Sequence, residues 1–390
     1  MIDKFGRLLH EPKKMLLLLG PRGTGKSIWL TNKIRPTTTI NLLHSDKFFH
    51  YQAKPSTIRE DIANLSPGSR FIIDEIQRVP ELLNEIHGNC ESQGIPFAIT
   101  GSSARKLKRA DANLLAGRAL RLNFFPLVWA EIPDESRLEG CIEFGTLPSI
   151  VDSPSLAADI RWAYVETFLV EEIAAEALTR SLEAFARFIN TAAQYHGQLL
   201  NIEAIARESS VKRRSADKYL HILEDTLIGF RLPAKSLGVR AKEAAHPKFY
   251  FLDAGVARAA SGWLRESVPD VWQGFSFESH VLNEIRAYNS YQKKDKNIFH
   301  YSITGSFDID FLIETNKKFL DQKPSYIAIE VKLAKTWRSE WSKLLIDFKE
   351  ISDALKGFKN NMTRVEVHFH EIKRNKDSGA DKYSAFEAKR

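Results

Sequence analysis

The run Gly20-Pro21-Arg22-Gly23-Thr24-Gly25-Lys26-Ser27 fits the pattern G-x-x-x-x-G-K-[ST]. It follows the apolar stretch Met15 to Leu19 and leads into the helical stretch Ile28 to Lys33, the strand-loop-helix setting in which the pattern binds phosphate. Glycines let backbone N–H groups curl around phosphate oxygens, and the helix start adds the positive end of its dipole. Lys26 is placed to reach the β and γ phosphates of ATP, and the Ser27 hydroxyl to ligate Mg²⁺.

Such a loop needs a carboxylate on the magnesium side. Phe71-Ile72-Ile73-Asp74-Glu75 supplies one at the end of an apolar strand, where ligands bind in open α/β sheets. Asp74 is then the Mg²⁺-side carboxylate, and Glu75 orients and polarises an attacking water. A further strand ends in Thr100-Gly101-Ser102-Ser103, where Thr100 or Ser102 could sense the γ phosphate or simply serve turn chemistry. Arg118 precedes another strand and is either a surface arginine or a finger reaching the nucleotide of a neighbouring subunit in a homo-oligomer.

Two later clusters carry chemistry of a different kind. Asn201 to Glu208 and Lys212 to Thr226 read as helices joined by a tight turn, with Lys212, Arg213, Arg214 and Lys218 near the start of the second. Positive charge there suits DNA phosphates, or else is a solvated face of a module that packs on protein. Further on, Phe307 to Glu314 and Tyr326 to Lys332 alternate like half-buried strands. Asp308 and Asp310 share one face, and so do Glu330 and Lys332. His368 and His370 lack a third ligand, and Trp337 and Trp341, four apart on an expected helix, read as packing.

The elements that must position these groups begin with five β-like runs: Met15 to Leu19, Thr37 to Leu43, Arg70 to Ile73, Pro96 to Thr100 and Ala119 to Phe125. Alternating with helical patterns, they predict a parallel α/β sheet over 1–130. A helical lid comes next over 131–190, then a helix-turn-helix with a strand pair over 191–255, and a helix, two strands, a helix and a strand over 256–372. The polar stretch 373–390 reads as a flexible tail.

With 390 residues, 43% of them hydrophobic and 27% charged, the chain is a folded protein of several domains. The net charge of +7 mildly favours a polyanionic partner. No apolar run is long enough for a membrane span, and only Cys90 and Cys141 are present, so a reducing, cytoplasmic setting is expected.

Taken together, these residues resemble the AAA+ class of P-loop ATPases. More narrowly, Asp74-Glu75-Ile76-Gln77-Arg78-Val79-Pro80, Thr100-Gly101-Ser102-Ser103, and Gly117-Arg118 followed by Phe125-Pro126-Leu127 resemble the bacterial and archaeal AAA ATPases with a C-terminal domain of unknown function, DUF4143. Gly145-Thr146-Leu147-Pro148, Phe249 to Gly255 and Phe277-Glu278 extend the likeness over nearly the whole chain, although that family usually has a second glycine where Thr146 stands. The resemblance implies a winged helix-turn-helix in the middle and leaves a lid arginine unassigned among Arg161, Arg180 and Arg187. The order of helix glutamate, strand aspartate and Glu-x-Lys also resembles the PD-(D/E)xK nuclease core. That likeness implies Asp310 and Glu330 as ligands of a second Mg²⁺ or Mn²⁺, Glu278 as a supporting ligand and Lys332 as the catalytic amine. An inactive nuclease-like domain kept for DNA or a protein partner is the alternative.

Overall fold

The computed structural model describes residues 5–10, 15–66, 69–86, 97–102, 119–132, 138–169, 181–236, 246–303, 307–316, 324–334, 338, 340–341, 343, 362–369 and 386–389. Arg118, Gly117, Ser103, Cys90, Arg180, Trp337 and His370 lie outside the described residues.

Five strands, β1 (Leu16–Leu19), β2 (Thr38–Asn41), β3 (Phe71–Asp74), β4 (Phe97–Gly101) and β5 (Leu120–Asn123), form one sheet in the order β2-β3-β4-β1-β5. Every pairing in it is parallel, as the alternation of strands and helices predicts. Strand side chains point to opposite faces in turn. Leu17, Leu19, Ile73 and Ile99 therefore enter one core, while Leu16, Leu18, Ile72 and Ala98 enter another with Trp29 and Leu30 of α1 (Lys26–Ile34). A sheet covered on both faces needs continuous apolar runs, which is why β1 reads Leu-Leu-Leu-Leu. Helices α2 (Ser45–Ala53) and α3 (Ile58–Ala63) connect β2 to β3.

Next come α4 (Leu138–Phe144), α5 (Pro148–Asp152), α6 (Ala157–Ala163), a π-helical turn Tyr164–Leu169 and α7 (Leu182–Gln194). After the two-residue β6 (Gln198–Leu199) stand α8 (Ile202–Glu208), α9 (Arg213–Asp225), β7 (Gly229–Leu232), β8 (Lys248–Phe251) and α10 (Ala254–Ala260). β6, β8 and β7 make an antiparallel sheet beside the two helices. One core holds Leu147, Tyr164, Phe185, Phe188, Tyr219, Leu220, Phe249 and Phe251 together. The expected division at 190/191 therefore falls inside α7 and inside a single core. Likewise Val256, Ala257 and Ala260 of α10 pack in this core rather than with the C-terminal sheet.

The C-terminal part starts with α11 (Asp270–Tyr291) and continues with β9 (Asn297–Ile303), β10 (Phe307–Asn316), β11 (Ser325–Lys332), β12 (Met362–Phe369) and β13 (Phe386–Lys389). They form a mixed sheet in the order β13-β12-β11-β10-β9. Two strands here correct the sequence reading. β9 pairs with β10 where none was expected, and β13 pairs antiparallel with β12, so part of the segment 373–390 closes a sheet edge that would otherwise present unpaired backbone groups. The end of α11 reaches back to the first sheet, where Ala287 and Tyr291 join Leu122 and Phe124 in one core. Arg7 fastens that contact, donating to the Phe125 carbonyl at 2.6 Å and pairing with Glu131 at 3.3 Å. Among the described residues no helix is long and apolar enough to cross a membrane.

Candidate nucleotide site and carboxylate cleft

The loop after β1 bends through Gly23 (φ 81°) and Gly25 (φ 88°), left-handed positions that favour glycine. Gly20 is required for space, since a Cβ there would meet the Phe124 carbonyl oxygen at 2.5 Å. Lys26 is buried and turned onto its own loop, donating to the carbonyls of Gly20 at 2.7 Å and Pro21 at 2.9 Å. Thr24 also donates to Pro21 O, at 2.8 Å. From the other side the Tyr164 hydroxyl donates to Arg22 O at 3.2 Å, and its ring lies over Gly23.

Parallel pairing sets β4 between β1 and β3 and assembles the polar ends of all three strands. Asp74 accepts from Ser27 Oγ at 2.7 Å and, through its other oxygen, from Thr100 Oγ1. The same Thr100 hydroxyl accepts from the Glu75 backbone N–H at 3.1 Å, holding Glu75 in its left-handed conformation (φ 60°). The Glu75 carboxylate accepts from Gln77 Nε2 and from Ser102 Oγ at 3.1 Å, and Gln77 Nε2 also lies 2.7 Å from Ser102 Oγ. Gln77 Oε1 is buried without a partner. All expected groups other than Arg118 thus meet here, with Thr100 placed on Asp74 and Ser102 on Glu75. Ser27 and Asp74 give a hydroxyl and a carboxylate side by side, a hard-oxygen donor pair that fits Mg²⁺. Gln77 was missed, although it stands in the quoted run two residues after Glu75.

The arginines left open for the lid resolve in different ways. Arg161 is fully buried, donates to Ala157 O at 3.0 Å and Glu143 O at 3.3 Å, lies over the Phe144 ring, and keeps Nη2 without a partner. Burial, with Arg258 nearby, lowers its guanidinium to about 10. Arg187 pairs with Glu183 at 2.8 Å on the surface of α7. On α9, Lys212, Arg213, Arg214 and Lys218 are all exposed, with Arg213 2.7 Å from Glu203.

The second cluster lies in a cleft of about 1200 Å³ lined by Glu278 of α11, Asp308 and Asp310 of β10, and Lys332 of β11, together with Gly197, Gln198 and Leu199 around β6 and Lys248 of β8. A register shift in β10 between Ile309 and Leu312 falls at Asp310, the kind of irregularity that re-aims a side chain. Asp310 Oδ2 accepts from Val331 N at 2.8 Å, and Glu330 contacts Lys332. The four expected residues are therefore gathered, but a fifth stands among them. Lys248 Nζ lies 3.0 Å from Glu278 Oε1, 3.4 Å from Asp310 Oδ1 and 3.6 Å from Asp308 Oδ2.

Burial would push the Lys248 ammonium down, but Glu278, Asp310 and Asp308 outweigh it and hold it raised. Burial also raises Glu278, with Lys248 opposing, and raises Glu330, reinforced by Asp310 and opposed by Lys332. The second metal does not fit this arrangement, because an ammonium already holds the space between the oxygens that would ligate it. Among the described residues no group of three or more His, Cys, Asp or Glu is arranged to hold a metal ion. Lys248 had one signal in the sequence: it and Tyr250 are the polar positions, two apart, of the otherwise apolar Lys248-Phe249-Tyr250-Phe251.

Comparison with known proteins finds three family models along the chain. Residues 12–133 match the model of an AAA domain, 135–267 a domain of unknown function (DUF8612), and 273–378 the domain of unknown function DUF4143. The chain is 27% identical over 291 residues to an uncharacterized protein of Mycobacterium tuberculosis, covering 72% of this chain and 64% of that protein. To an uncharacterized protein of Haemophilus influenzae it is 26% identical over 278 residues, covering 63% of this chain and 69% of that one. The chain thus spans somewhat under two thirds of the length of the mycobacterial relative. Among solved structures, the replication initiator DnaA bound to AMPPCP and single-stranded DNA aligns at 12% identity with a TM-score of 0.29, over 55% of this chain and 83% of that one. With the loop, the parallel sheet and the carboxylates in place, the chain carries an AAA domain, matched over 12–133, and a C-terminal DUF4143 region, matched over 273–378.

Proposed function

We propose that the chain hydrolyses ATP at Gly20 to Ser27 and acts on DNA. The observation that carries the hydrolytic part is the continuous network from Ser27 through Asp74 and Thr100 to Glu75. Lys26 leaves the Gly20 and Pro21 carbonyls to meet the β and γ phosphates. Ser27 and Asp74 are the residues that would hold Mg²⁺, which when bound neutralises charge between the β and γ phosphates. Glu75 orients the attacking water and draws on its proton, with Gln77 and Ser102 fixing the carboxylate. Arg118 completes the site from a neighbouring subunit in a homo-oligomer.

The exposed cations Lys212, Arg213, Arg214 and Lys218 at the start of α9 support DNA contact through phosphates, a contact that weakens with salt. ATP turnover measured alone and with duplex, forked and single-stranded DNA tests the reading. A several-fold stimulation by one of these supports it, and indifference to all of them removes DNA from it. The second reading is a nucleotide-gated switch that binds a protein partner and whose C-terminal domain does not cleave. Lys248 among the carboxylates favours that reading of the domain.

A further inference from the structure

We propose that Lys248 is the resident cation of the C-terminal carboxylate cluster, so that the cleft as folded takes no divalent metal and cuts no phosphodiester. The geometry of β8, α11 and β10 carries this independently of the nucleotide site. Lys248 comes from the sheet of the preceding module, whereas Glu278, Asp308 and Asp310 come from α11 and β10 of the C-terminal part.

A metal ion such as Mg²⁺ binds oxygens at about 2.0 to 2.1 Å in near-octahedral geometry, with one or two carboxylates and waters in its shell. Here Glu278 Oε1 and Asp310 Oδ1, one from the helix and one from the strand, both face the same ammonium at 3.0 and 3.4 Å. A dication drawn to those oxygens would have to displace a like charge that already neutralises them.

The lysine is not a passing surface side chain. Its own side chain is only 6% exposed. β8 is anchored on both edges, Lys248 pairing with Leu199 of β6 and with Leu232 of β7. Alternate residues of a strand share a face. Tyr250, two positions along, accordingly presents its hydroxyl to the same Glu278 oxygen. Phe249 and Phe251 on the opposite face are fully buried in the core of the middle module. The strand cannot rotate Lys248 away without turning these rings out. Lysine has the reach and the compact charge for this place, while its three donors serve three separate carboxylates.

The test is a Mn²⁺ titration of the nucleotide-free full chain, with unbound Mn²⁺ read by electron paramagnetic resonance. Wild type and Asp310→Asn should titrate alike, because neither holds a metal in the cleft. Lys248→Met, which keeps the length of the side chain and removes its charge, should gain one Mn²⁺ site that wild type lacks. Lys248→Met with Asp310→Asn should lose it. The proposal is overturned if wild type binds a Mn²⁺ that Asp310→Asn lacks, or if folded Lys248→Met gains none. Metal-dependent nicking of DNA by wild type that Asp310→Asn abolishes would overturn it as well. Should Lys248→Met fail to fold, Lys248→Gln offers an uncharged side chain that still donates, and the comparison of wild type with Asp310→Asn decides the matter without either variant.

Discussion

Thr100→Val separates the hydroxyl that joins the two carboxylates from the packing around it. Thr100 is fully buried, and valine fills the same space without the hydroxyl. Two interactions go with that group: its donation to the charged Asp74 oxygen and its acceptance of the Glu75 N–H. A hydrogen bond to a charged group contributes about 1.5 to 3 kcal/mol, and a buried donor left unpaired costs about 1 to 3 kcal/mol. Taking values near the low end of both gives a loss of about 3 kcal/mol, or roughly a 10²-fold fall in the protection of β3 and β4 amides against hydrogen exchange. Thr100→Ser keeps the hydroxyl and gives up one methyl group, about 0.8 kcal/mol, so protection should fall by less than tenfold. ATP turnover should fall in the same order, since the Glu75 backbone is held by the hydroxyl and not by the methyl. Equal protection and equal turnover in the two variants would mean that packing, not the hydroxyl, keeps Asp74 and Glu75 in register.

Lys26→Ala should abolish nucleotide binding, whereas Glu75→Gln should bind nucleotide normally and turn over less than about one part in a hundred as fast, because a general base contributes about 10² to 10⁴; wild-type turnover in Glu75→Gln removes it from the mechanism. Gly145→Ala should destabilise the 145–146 turn by more than about 2 kcal/mol, since its φ is 89° and its Cβ would meet Asp253 Oδ1 at 2.0 Å; Gly140→Ala, whose nearest neighbour is at 3.9 Å, should leave limited proteolysis unchanged. Burial lowers His196 from 6.5 to about 3 while its Nδ1 accepts from Phe251 N at 3.0 Å, so the folded state keeps the ring neutral. Its contribution is complete above pH 6.5 and is lost as pH falls towards 3, at up to about 1.4 kcal/mol per pH unit. His196→Asn should therefore be less stable than wild type at pH 7.5 by a margin that narrows by about 2 to 3 kcal/mol at pH 4.5, and unfolding curves that stay equally spaced would refute this.

How much the sequence discloses about this molecule depends on the distance over which each interaction is made. The phosphate loop is local: two glycines, a lysine and a serine specify their own backbone, and the loop forms where expected, between β1 and α1. The three inner strands of the first sheet, β1, β3 and β4, are legible for the same reason, since burial on both faces writes them as mostly apolar runs, whereas the edge strands β2 and β5 are half exposed and carry Thr38, Thr39 and Arg121. Lys248 is different. Its partners lie 30 and 62 residues further along the chain, and nothing in its neighbours says that β8 will face α11. Tyr164 meets Arg22 across 142 residues, again with no local signal. The division at 190/191 rested on a change of pattern, but packing ignores it, because the apolar stripe of α7 serves the helices before it and the sheet after it alike. β9 escaped notice because it comes after the charged run Lys293 to Lys296 and buries few of its side chains fully.

The same packing joins the two clusters that the sequence keeps apart. A Cβ at Gly23 would meet Tyr164 at 3.3 Å and Leu147 at 3.8 Å, and one at Gly25 would meet Pro148 at 3.7 Å, so these residues lie beside the phosphate loop. The turn just before them, Gly145-Thr146, is held by Asp253, which accepts from Thr146 N at 2.6 Å and caps α10 through Val256 N at 3.1 Å. α10 lies so close to α4 that a Cβ at Gly255 would meet Phe144 O at 1.9 Å. It also carries Arg258, which lines the cleft and bonds Glu143 at 3.2 Å. Three residues before α10 is the end of β8, the strand that begins at Lys248. Leu147, Thr146, Asp253, Gly255 and Arg258 on this route are buried, and a close-packed interior has little room to absorb a displacement locally. The loop that holds Lys26 against Gly20 and Pro21 packs on Tyr164 and Leu147, and the elements behind them are those that hold the lysine in the cleft. The departure at Thr146 belongs to this route: its hydroxyl, 3.4 Å from Asp253 Oδ2, adds to the clamp a contact that a glycine would lack.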